Sequence, residues 1–121
     1  MESILIVDDD LGVCTTLKEE LAEVGYETDF LLRGTEVNDY LKTNPVDLIL
    51  LDLVLPEKDG FEVLKDLSHN KFDVKVVVLT AYADVKSAID SARLGASDFI
   101  SKPYDLDELL ITIRKVLQRD D

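Results

Sequence analysis

The stretch that decides the fold is Leu48-Ile49-Leu50-Leu51-Asp52-Leu53-Val54-Leu55-Pro56-Glu57-Lys58-Asp59-Gly60. A short apolar run here ends in one carboxylate, Asp52, and Pro56 and Gly60 follow at positions typical of a loop. This pattern predicts a buried strand that delivers an acid to a loop. Acidic residues are seldom buried for the sake of the core, so Asp52 is a candidate for chemistry.

Four further runs predict strands, which gives strands at residues 3–7, 27–32, 47–51, 74–79 and 97–101. Between them, apolar residues recur at helical spacing. The predicted helices cover residues 13–24, 34–42 and 61–68. A fourth begins at the N-cap Asp84 and ends at the terminator Gly95, and a fifth opens with a capping box of Asp105 and Glu108. Strict alternation of strands and helices predicts a doubly wound α/β fold, with a five-stranded parallel sheet buried on both faces.

Helical spacing also predicts which side chains face the core. Phe61, Leu64 and Leu67 lie on one side of the third helix, and the predicted inner face of the fourth is Val85, Ala88, Ile89 and Ala92. Leu94 and Ile111 fall away from the inner faces, so we expect both to be exposed. Alternatively, Leu94 packs against its own helix terminator, Gly95. Exposed apolar residues here would indicate a partner or dimer surface on helix four, strand five and helix five.

Composition and net charge limit the number of domains and the kinds of partner that the chain can have. The chain has 121 residues, of which 46% are hydrophobic, and this suits one domain at residues 1–121. Its net charge of −13 would be repelled by nucleic acid, so we expect no contact of this domain with DNA or RNA. No stretch approaches the roughly 18–20 apolar residues of a membrane span, and the start lacks a basic signal sequence. We therefore expect a cytoplasmic protein without membrane contact, with its single Cys14 in the core.

Polar residues follow four of the predicted strands. They are Asp8 and Asp9 after the first, Asp52 after the third, Thr80 after the fourth and Lys102-Pro103 after the fifth. Ligands bind such sheets off the carboxyl ends of the strands, where the strand order reverses, so we expect these residues to converge. For Asp8 to Asp10 there is an alternative, since acids also favour the start of a helix. We assign Asp10 to helix capping on that ground.

Phosphoryl transfer with a hard cation is the chemistry that suits this set. Clustered carboxylates repel one another unless a cation is present, and Mg²⁺, or Mn²⁺ in its place, prefers oxygen ligands. One carboxylate can attack a phosphoryl donor while an ammonium and a hydroxyl bind the transferring oxygens. Asp52 is the best nucleophile, because it alone ends a central strand as a single acid, and Lys102 and Thr80 are its predicted helpers.

Five motifs in order resemble the receiver domains of bacterial two-component response regulators, and the match covers essentially the whole chain. They are Ile4-Leu5-Ile6-Val7-Asp8-Asp9-Asp10, Asp47-Leu48-Ile49-Leu50-Leu51-Asp52-Leu53-Val54-Leu55-Pro56, Asp59-Gly60, Val78-Leu79-Thr80-Ala81 and Lys102-Pro103. The resemblance implies a flavodoxin-like receiver fold with strand order 2-1-3-4-5. It also implies a phosphoacceptor switch that catalyses only its own phosphorylation and dephosphorylation.

Roles for single residues follow from the resemblance. Asp52 would take phosphate from the phosphohistidine of a sensor histidine kinase. Mg²⁺ would be bound by Asp9, Asp52 and the Val54 carbonyl, and by Asp8 through water. The residues expected to respond are Thr80, Lys102 and the aromatic Phe99, and the Lys102-Pro103 bond is expected to be cis.

Two local stretches resemble receivers of the nitrogen-regulator type in particular, which precede an ATPase and a DNA-binding domain. They are Leu79-Thr80-Ala81-Tyr82-Ala83-Asp84 and Leu94-Gly95-Ala96-Ser97-Asp98-Phe99. The chain is then either a stand-alone regulator or the N-terminal piece of a longer, transcriptional one. In both cases the resemblance implies that phosphorylation controls a homodimer or an output domain through helix four, strand five and helix five.

Val54 distinguishes a phosphoacceptor switch from a phosphatase. A haloacid-dehalogenase-type phosphatase also uses an aspartate nucleophile with Mg²⁺, but it needs a second acid at this position. Neither Val54 nor Tyr82 can align an attacking water, so we predict slow loss of the phosphoryl group. A third option is a degenerate receiver that only binds partners, against which the complete set of acids argues.

Two other kinds of residue could be mistaken for parts of the site. His69 near the end of the third helix is expected to be exposed and is not the phosphodonor. Tyr82 and Tyr104 either flank the site or merely cover it.

Overall fold

The computed structural model describes residues 1–119 as a sheet with helices on both faces. The strands are β1 Ser3–Val7, β2 Glu27–Leu31, β3 Leu48–Leu51, β4 Lys75–Thr80 and β5 Asp98–Ser101. The helices are α1 Leu11–Glu23, α2 Val37–Thr43, α3 Gly60–His69, α4 Val85–Arg93 and α5 Leu106–Leu117, and one turn of 3₁₀ helix, Gly34–Glu36, leads into α2. Every predicted strand and helix is present, with bounds that differ by a few residues.

The five strands are parallel and lie in the order β2-β1-β3-β4-β5, which confirms the predicted topology. The winding direction reverses between β1 and β3, because β2 lies on one side of β1 and the later strands lie on the other. Val7 pairs with Leu51 in this register. The next residues, Asp8 and Asp52, therefore leave the sheet side by side, at the point where ligands bind folds of this kind.

Successive side chains along each strand point to opposite faces of the sheet, and this divides the apolar residues between two cores. In β1, Ile4 and Ile6 belong to the core under α1 and α5, whereas Leu5 and Val7 belong to the core under α2 and α3. All four residues of β3 are buried, and each such side chain contributes about 1.5–3 kcal/mol to the stability of the fold. The strand that carries Asp52 is thus anchored on both faces of the sheet.

Carboxylates cap four of the helices. Asp10, Asp84 and Asp105 accept hydrogen bonds from backbone N–H groups in the first turns of α1, α4 and α5. All three caps were predicted, but at α5 only the Asp105 half of the predicted capping box forms, because the Glu108 side chain does not bond the Asp105 N–H. A reciprocal capping box, in which each side chain bonds the backbone N–H of the other residue, forms at α3 between Asp59 and Glu62 and was not predicted.

The face that α4 turns toward the protein differs from the predicted one. Ser91 is 1% exposed and Ser87 is also buried, whereas Val85 is 76% exposed and Ile89 is exposed as well. Leu94 lies on the stripe of Ser87 and Ser91, since their spacing is i, i+4 and i+7. It packs against the core under α2 and α3. The predicted inner face of α4 and the predicted exposure of Leu94 are both wrong.

The error has a physical cause. Residues 85, 89 and 92 and residues 87, 91 and 94 both have helical spacing, and hydrophobicity alone favours the first stripe. Serine is small enough to let α4 pack closely, and the Ser91 hydroxyl is satisfied by donating to the Ala88 carbonyl at 3.1 Å. Packing therefore placed the smaller side chains inside.

Two further apolar residues have different outcomes. Ile111 on α5 is 56% exposed, as predicted. Phe61 was placed on the same side of the third helix as Leu64 and Leu67; those two are buried, but Phe61 is half-buried and belongs to neither core.

Candidate functional site

Two buried carboxylates, Asp8 and Asp52, lie at the centre of the site and are 3% and 6% exposed. Their backbone N–H groups donate to the carbonyls of Leu31 and Val7 at 3.1 and 2.9 Å, so the chain is still held by the sheet at both acids. The third acid, Asp9, is exposed. One carboxylate oxygen from each acid lies within 4.8 Å of the other two. The structure thus brings the three predicted acids together.

Lys102 joins this cluster from the end of β5. Its Nζ donates to Oδ2 of Asp8 at 2.6 Å and to Oδ2 of Asp52 at 3.0 Å. Its backbone N–H donates to the Thr80 carbonyl at 2.9 Å, which ties this turn to the end of β4. The Lys102-Pro103 peptide bond is cis, as the resemblance implies.

Burial and pairing act against each other in this cluster. Burial raises the pKa of Asp8, and the hydrogen bond from Lys102 offsets only part of that rise. For Lys102, burial alone would lower the pKa, but its hydrogen bonds to Asp8 and Asp52 outweigh burial and the pKa is raised. Lys102 therefore stays an ammonium, and one cation serves two buried carboxylates.

The remaining carboxylate oxygens are held by the backbone. Oδ1 of Asp8 accepts from the N–H of Asp10 at 2.9 Å, and Oδ1 of Asp52 accepts from the N–H of Val54 at 3.1 Å. These bonds orient both carboxylates before any ligand arrives. The set consists of hard oxygen donors, which fits Mg²⁺ or Mn²⁺. A cation that bound Oδ2 of Asp8 or Asp52 would have to displace Lys102 from that oxygen.

Thr80 and Phe99 lie on the β4 and β5 side of the site. Thr80 is fully buried, and its Oγ1 accepts from the N–H of Tyr82 at 3.1 Å. Its register partner is Ser101, so Lys102 follows one residue later. Phe99 is half-buried and pairs with Val78. Thr80 thus connects the site to the loop that leads into α4.

Gly60 supports the site through a close backbone contact that was not predicted. A Cβ at this position would lie 2.5 Å from the Asp52 carbonyl oxygen and 2.7 Å from the Cα of Leu53. Both are backbone atoms, so a side chain would displace the segment that carries Asp52. The signal was present in the Asp59-Gly60 motif, but the close approach is visible only in three dimensions.

The other residues named from the sequence have clear positions. Tyr104 donates its hydroxyl to Glu20 at 2.6 Å and packs against the core under α1 and α5, so it covers that core. Tyr82 is exposed beside Thr80. Cys14 is buried, and His69 is exposed as the last residue of α3. Among residues 1–119, no helix is long and apolar enough to span a membrane.

Comparisons with known proteins agree with this geometry. The chain is 38% identical over 116 residues to the regulatory protein AtoC of Escherichia coli, across 95% of the chain but only 25% of AtoC. It is 35% identical over 116 residues to sporulation initiation phosphotransferase F of Bacillus subtilis, across 96% of the chain and 94% of that protein. The chain therefore spans a quarter of the length of one relative and nearly all of the other.

A solved structure shows the same fold. The BeF3-activated N-terminal receiver domain of RstA from Klebsiella pneumoniae superposes with a TM-score of 0.91 at 30% identity, over 98% of this chain and 100% of that one. Residues 4–114 match the family described as the response regulator receiver domain. That match covers most of the chain and includes every acid of the site, and so the protein belongs to the response regulator receiver domains, the phosphoacceptor signalling switches of two-component systems.

Proposed function

We propose that Asp52 accepts a phosphoryl group from the phosphohistidine of a sensor histidine kinase. The observation that carries this proposal is a buried, pre-oriented carboxylate at the end of the central strand, 3.0 Å from the ammonium of Lys102. A carboxylate oxygen of Asp52 forms the new bond to phosphorus while the phosphorus–nitrogen bond to the imidazole breaks. The products are an acyl phosphate on Asp52 and a free histidine on the kinase.

Mg²⁺ is the proposed cofactor, with Mn²⁺ as a substitute. Asp9, Asp52 and the Val54 carbonyl would hold it directly, and Asp8 would hold it through water. When bound, the cation would neutralise charge on the phosphoryl oxygens. The close approach of the three carboxylates supports this assignment. Lys102 would then give up its bonds to the carboxylates and bind the transferred phosphoryl group.

The proposed output is a change of surface at α4, β5 and α5. Phosphorylation adds negative charge beside Thr80 and Lys102, and Phe99 on β5 would move with them. Apolar side chains are already exposed on this surface, including Val85, Ile89 and Ile111. We propose that the surface mediates a homodimer or contact with an output domain that controls transcription. The cytoplasmic location that we propose rests on the family resemblance.

Val54 argues against the phosphatase alternative. Its side chain is 56% exposed beside the nucleophile and has no acid to donate a proton to a leaving group. The complete acid cluster with Lys102 argues against a module that only binds partners.

Acetyl phosphate with and without Mg²⁺ tests the phosphoacceptor. Intact-mass measurement should show one phosphoryl group added only with Mg²⁺, and none on Asp52→Asn. Asp73→Asn is the matched control, because Asp73 is an exposed acid on the loop before β4, away from the cluster. A modification that persists in Asp52→Asn would refute the assignment.

Substitution of exposed apolar residues tests the proposed surface at α4, β5 and α5. Ile89→Ser and Ile111→Ser should weaken self-association of the beryllium fluoride complex in analytical ultracentrifugation and leave phosphorylation unchanged. Val24→Ser is the control, because Val24 is 53% exposed at the end of α1. Equal weakening by all three variants would contradict the proposed surface.

A further inference from the structure

A groove between α3 and α4 has no role in the proposed phosphoryl chemistry. Its volume is about 470 Å³, and it is lined by Phe61, Lys65, Lys86, Asp90, Arg93 and Leu94. An adjoining hollow extends it past Ser68 and His69 toward Gly95. We call the first of these the α3–α4 groove.

The apolar part of the groove is unusual in its packing. Phe61 is half-buried, yet it belongs to neither of the two cores of the described chain. Leu94 packs one side against the core under α2 and α3 and lines the groove with the other. An aromatic ring that lies outside the core beside a leucine offers a place for an apolar side chain from another molecule.

The charge of the groove is opposite to that of the protein. Three cations line it against one carboxylate, although the whole chain carries −13. Asp90 accepts from Lys86 at 2.7 Å, but Lys86 remains 85% exposed and this i,i+4 pair is weak. Within residues 1–119, neither Lys65 nor Arg93 has an ion pair or side-chain hydrogen bond. The groove therefore offers at least two cations without partners.

The positions of the cations along α3 and α4 favour one class of anionic ligand. Lys65 and Arg93 lie beyond the first turns of α3 and α4, where backbone N–H groups are already bonded to carbonyls, whereas Lys86 is the second residue of α4. Phosphate sites usually gather several free N–H groups of one loop or helix start around the anion, and the two cations without partners, Lys65 and Arg93, stand outside such a start. Nucleic acid is disfavoured by the net charge of −13. Cationic side chains on an open surface beside Phe61 and Leu94 suit a peptide in which carboxylates alternate with apolar residues.

We infer that the α3–α4 groove binds an acidic peptide segment of a partner protein, with an apolar side chain of that segment against Phe61 and Leu94 and its carboxylates on Lys65, Lys86 and Arg93. The inference does not depend on phosphorylation of Asp52. The contacts are exposed ion pairs, so binding is expected to be weak and to fall as ionic strength rises.

A synthetic helical peptide with glutamates beside leucines tests the inference on the full chain. Titration followed by ¹⁵N NMR should shift the amides of Phe61, Lys65, Arg93 and Leu94, and added salt should reverse the shifts. The same peptide with glutamine for glutamate should bind about tenfold more weakly or not at all, because it has lost its charges. Shifts confined to other surfaces, or equal binding of both peptides, would overturn the inference.

Charge reversal supplies a second readout. Lys65→Glu and Arg93→Glu, each made alone, should weaken peptide binding a few-fold, since an exposed ion pair contributes only that much. Lys115→Glu is the matched control, because Lys115 is an exposed lysine on α5, against the opposite face of the sheet. All three changes add negative charge, so equal weakening by the control would mean that only net charge matters.

Two other probes exclude the alternatives. ADP and a short duplex DNA are titrated under the same conditions. Tighter binding of ADP than of the peptide at the groove would assign it to a small anion instead, and tighter binding of DNA would assign it to nucleic acid. Either result overturns the inference, whereas weaker binding of both supports it.

Discussion

The ammonium of Lys102 lies 2.6 Å from Oδ2 of Asp8, although 94 residues separate them in sequence. The same nitrogen lies 3.0 Å from Oδ2 of Asp52. These bonds connect the carboxyl ends of β1, β3 and β5, and they place a cation on the oxygens that a divalent metal ion would need. Lys102 and the metal ion are therefore expected to compete for these oxygens and to compensate for each other.

Loss of the ammonium should make stability depend on metal. In Lys102→Met, two buried carboxylates lose their shared cation, so the free energy of unfolding in EDTA should fall by about 1–3 kcal/mol. Mg²⁺ should then stabilise the variant more than it stabilises the wild type. Urea denaturation with EDTA and with Mg²⁺ measures both effects. Lys115→Met is the control, and an identical gain from Mg²⁺ in all three proteins would contradict the competition.

A methyl group at Gly60 should disturb the backbone at Asp52. Gly60→Ala places a Cβ 2.5 Å from the Asp52 carbonyl oxygen, so the backbone must shift. We expect a loss of about 1–3 kcal/mol in stability, as for overpacked cores, together with slower phosphorylation by acetyl phosphate. In Gly12→Ala the new Cβ would lie 3.2 Å from Oδ1 of Asp10, a side-chain oxygen that can shift by a few tenths of an ångström and still cap α1. That helix variant should keep its stability and phosphorylation rate, and a similar loss in both variants would argue against the close approach.

Substitutions that change side-chain size can test whether α4 turns Ser87 and Ser91 toward the protein. Ser91→Leu should destabilise the protein by about 1–3 kcal/mol, because Ser91 is buried where there is little room for a larger side chain. Val85→Ser should change stability by less than about 0.5 kcal/mol, because Val85 is 76% exposed. Thermal unfolding distinguishes the two. A larger loss of stability in Val85→Ser than in Ser91→Leu would mean that Val85, and not Ser91, faces the core.

The lifetime of the acyl phosphate should depend on Val54. Its side chain is exposed two residues past Asp52 and cannot hold a water molecule for attack on phosphorus. Val54→Asn adds an amide that can do so, and we expect several-fold faster loss of the phosphoryl group. Decay of the phosphorylated mass with time measures this rate. Val54→Leu is the apolar control, and equal lifetimes for all three proteins would contradict a role for this position.

Cys14 should make stability fall at alkaline pH. Burial, with smaller effects from the charges of Asp8 and Asp10, raises the pKa of this thiol from 9.0 to about 12. Because the folded pKa is the higher one, the thiol's contribution is complete below pH 9.0 and is lost as the pH rises toward about 12. The stability advantage of the wild type over Cys14→Ala should thus shrink between about pH 8 and about pH 10. Urea denaturation at both pH values measures it, and a constant difference would contradict the raised pKa.

Much of this molecule could be predicted because its signals are local. The apolar run Leu48–Leu51 can only be a buried strand, and Asp84, Asp105 and Gly95 mark helix ends by their own chemistry. Once strands and helices alternate, few topologies remain, and the acids at the strand ends must meet at one edge of the sheet. The convergence of Asp8, Asp9 and Asp52 followed from that reasoning.

The errors lie where a choice depends on packing. The stripe of Val85 and Ile89 and the stripe of Ser87 and Ser91 fit the same helical period, and only the position of α4 against the protein distinguishes them. Phe61 has the helical spacing of the buried Leu64 and Leu67, yet packing leaves it in the α3–α4 groove. The close approach of Gly60 to the Asp52 carbonyl also depends on the path of two separate segments.

By itself, the sequence determined the order of strands and helices, the family and the residues of the acid site, because apolar periodicity, helix caps and strand-end carboxylates act within a few residues of one another. Only the tertiary structure decided that Lys102 bonds both buried acids, that α4 buries serines, and that Lys65 and Arg93 share a groove with Phe61. These outcomes depend on distances between residues far apart in the chain, which are set when the helices pack against the sheet.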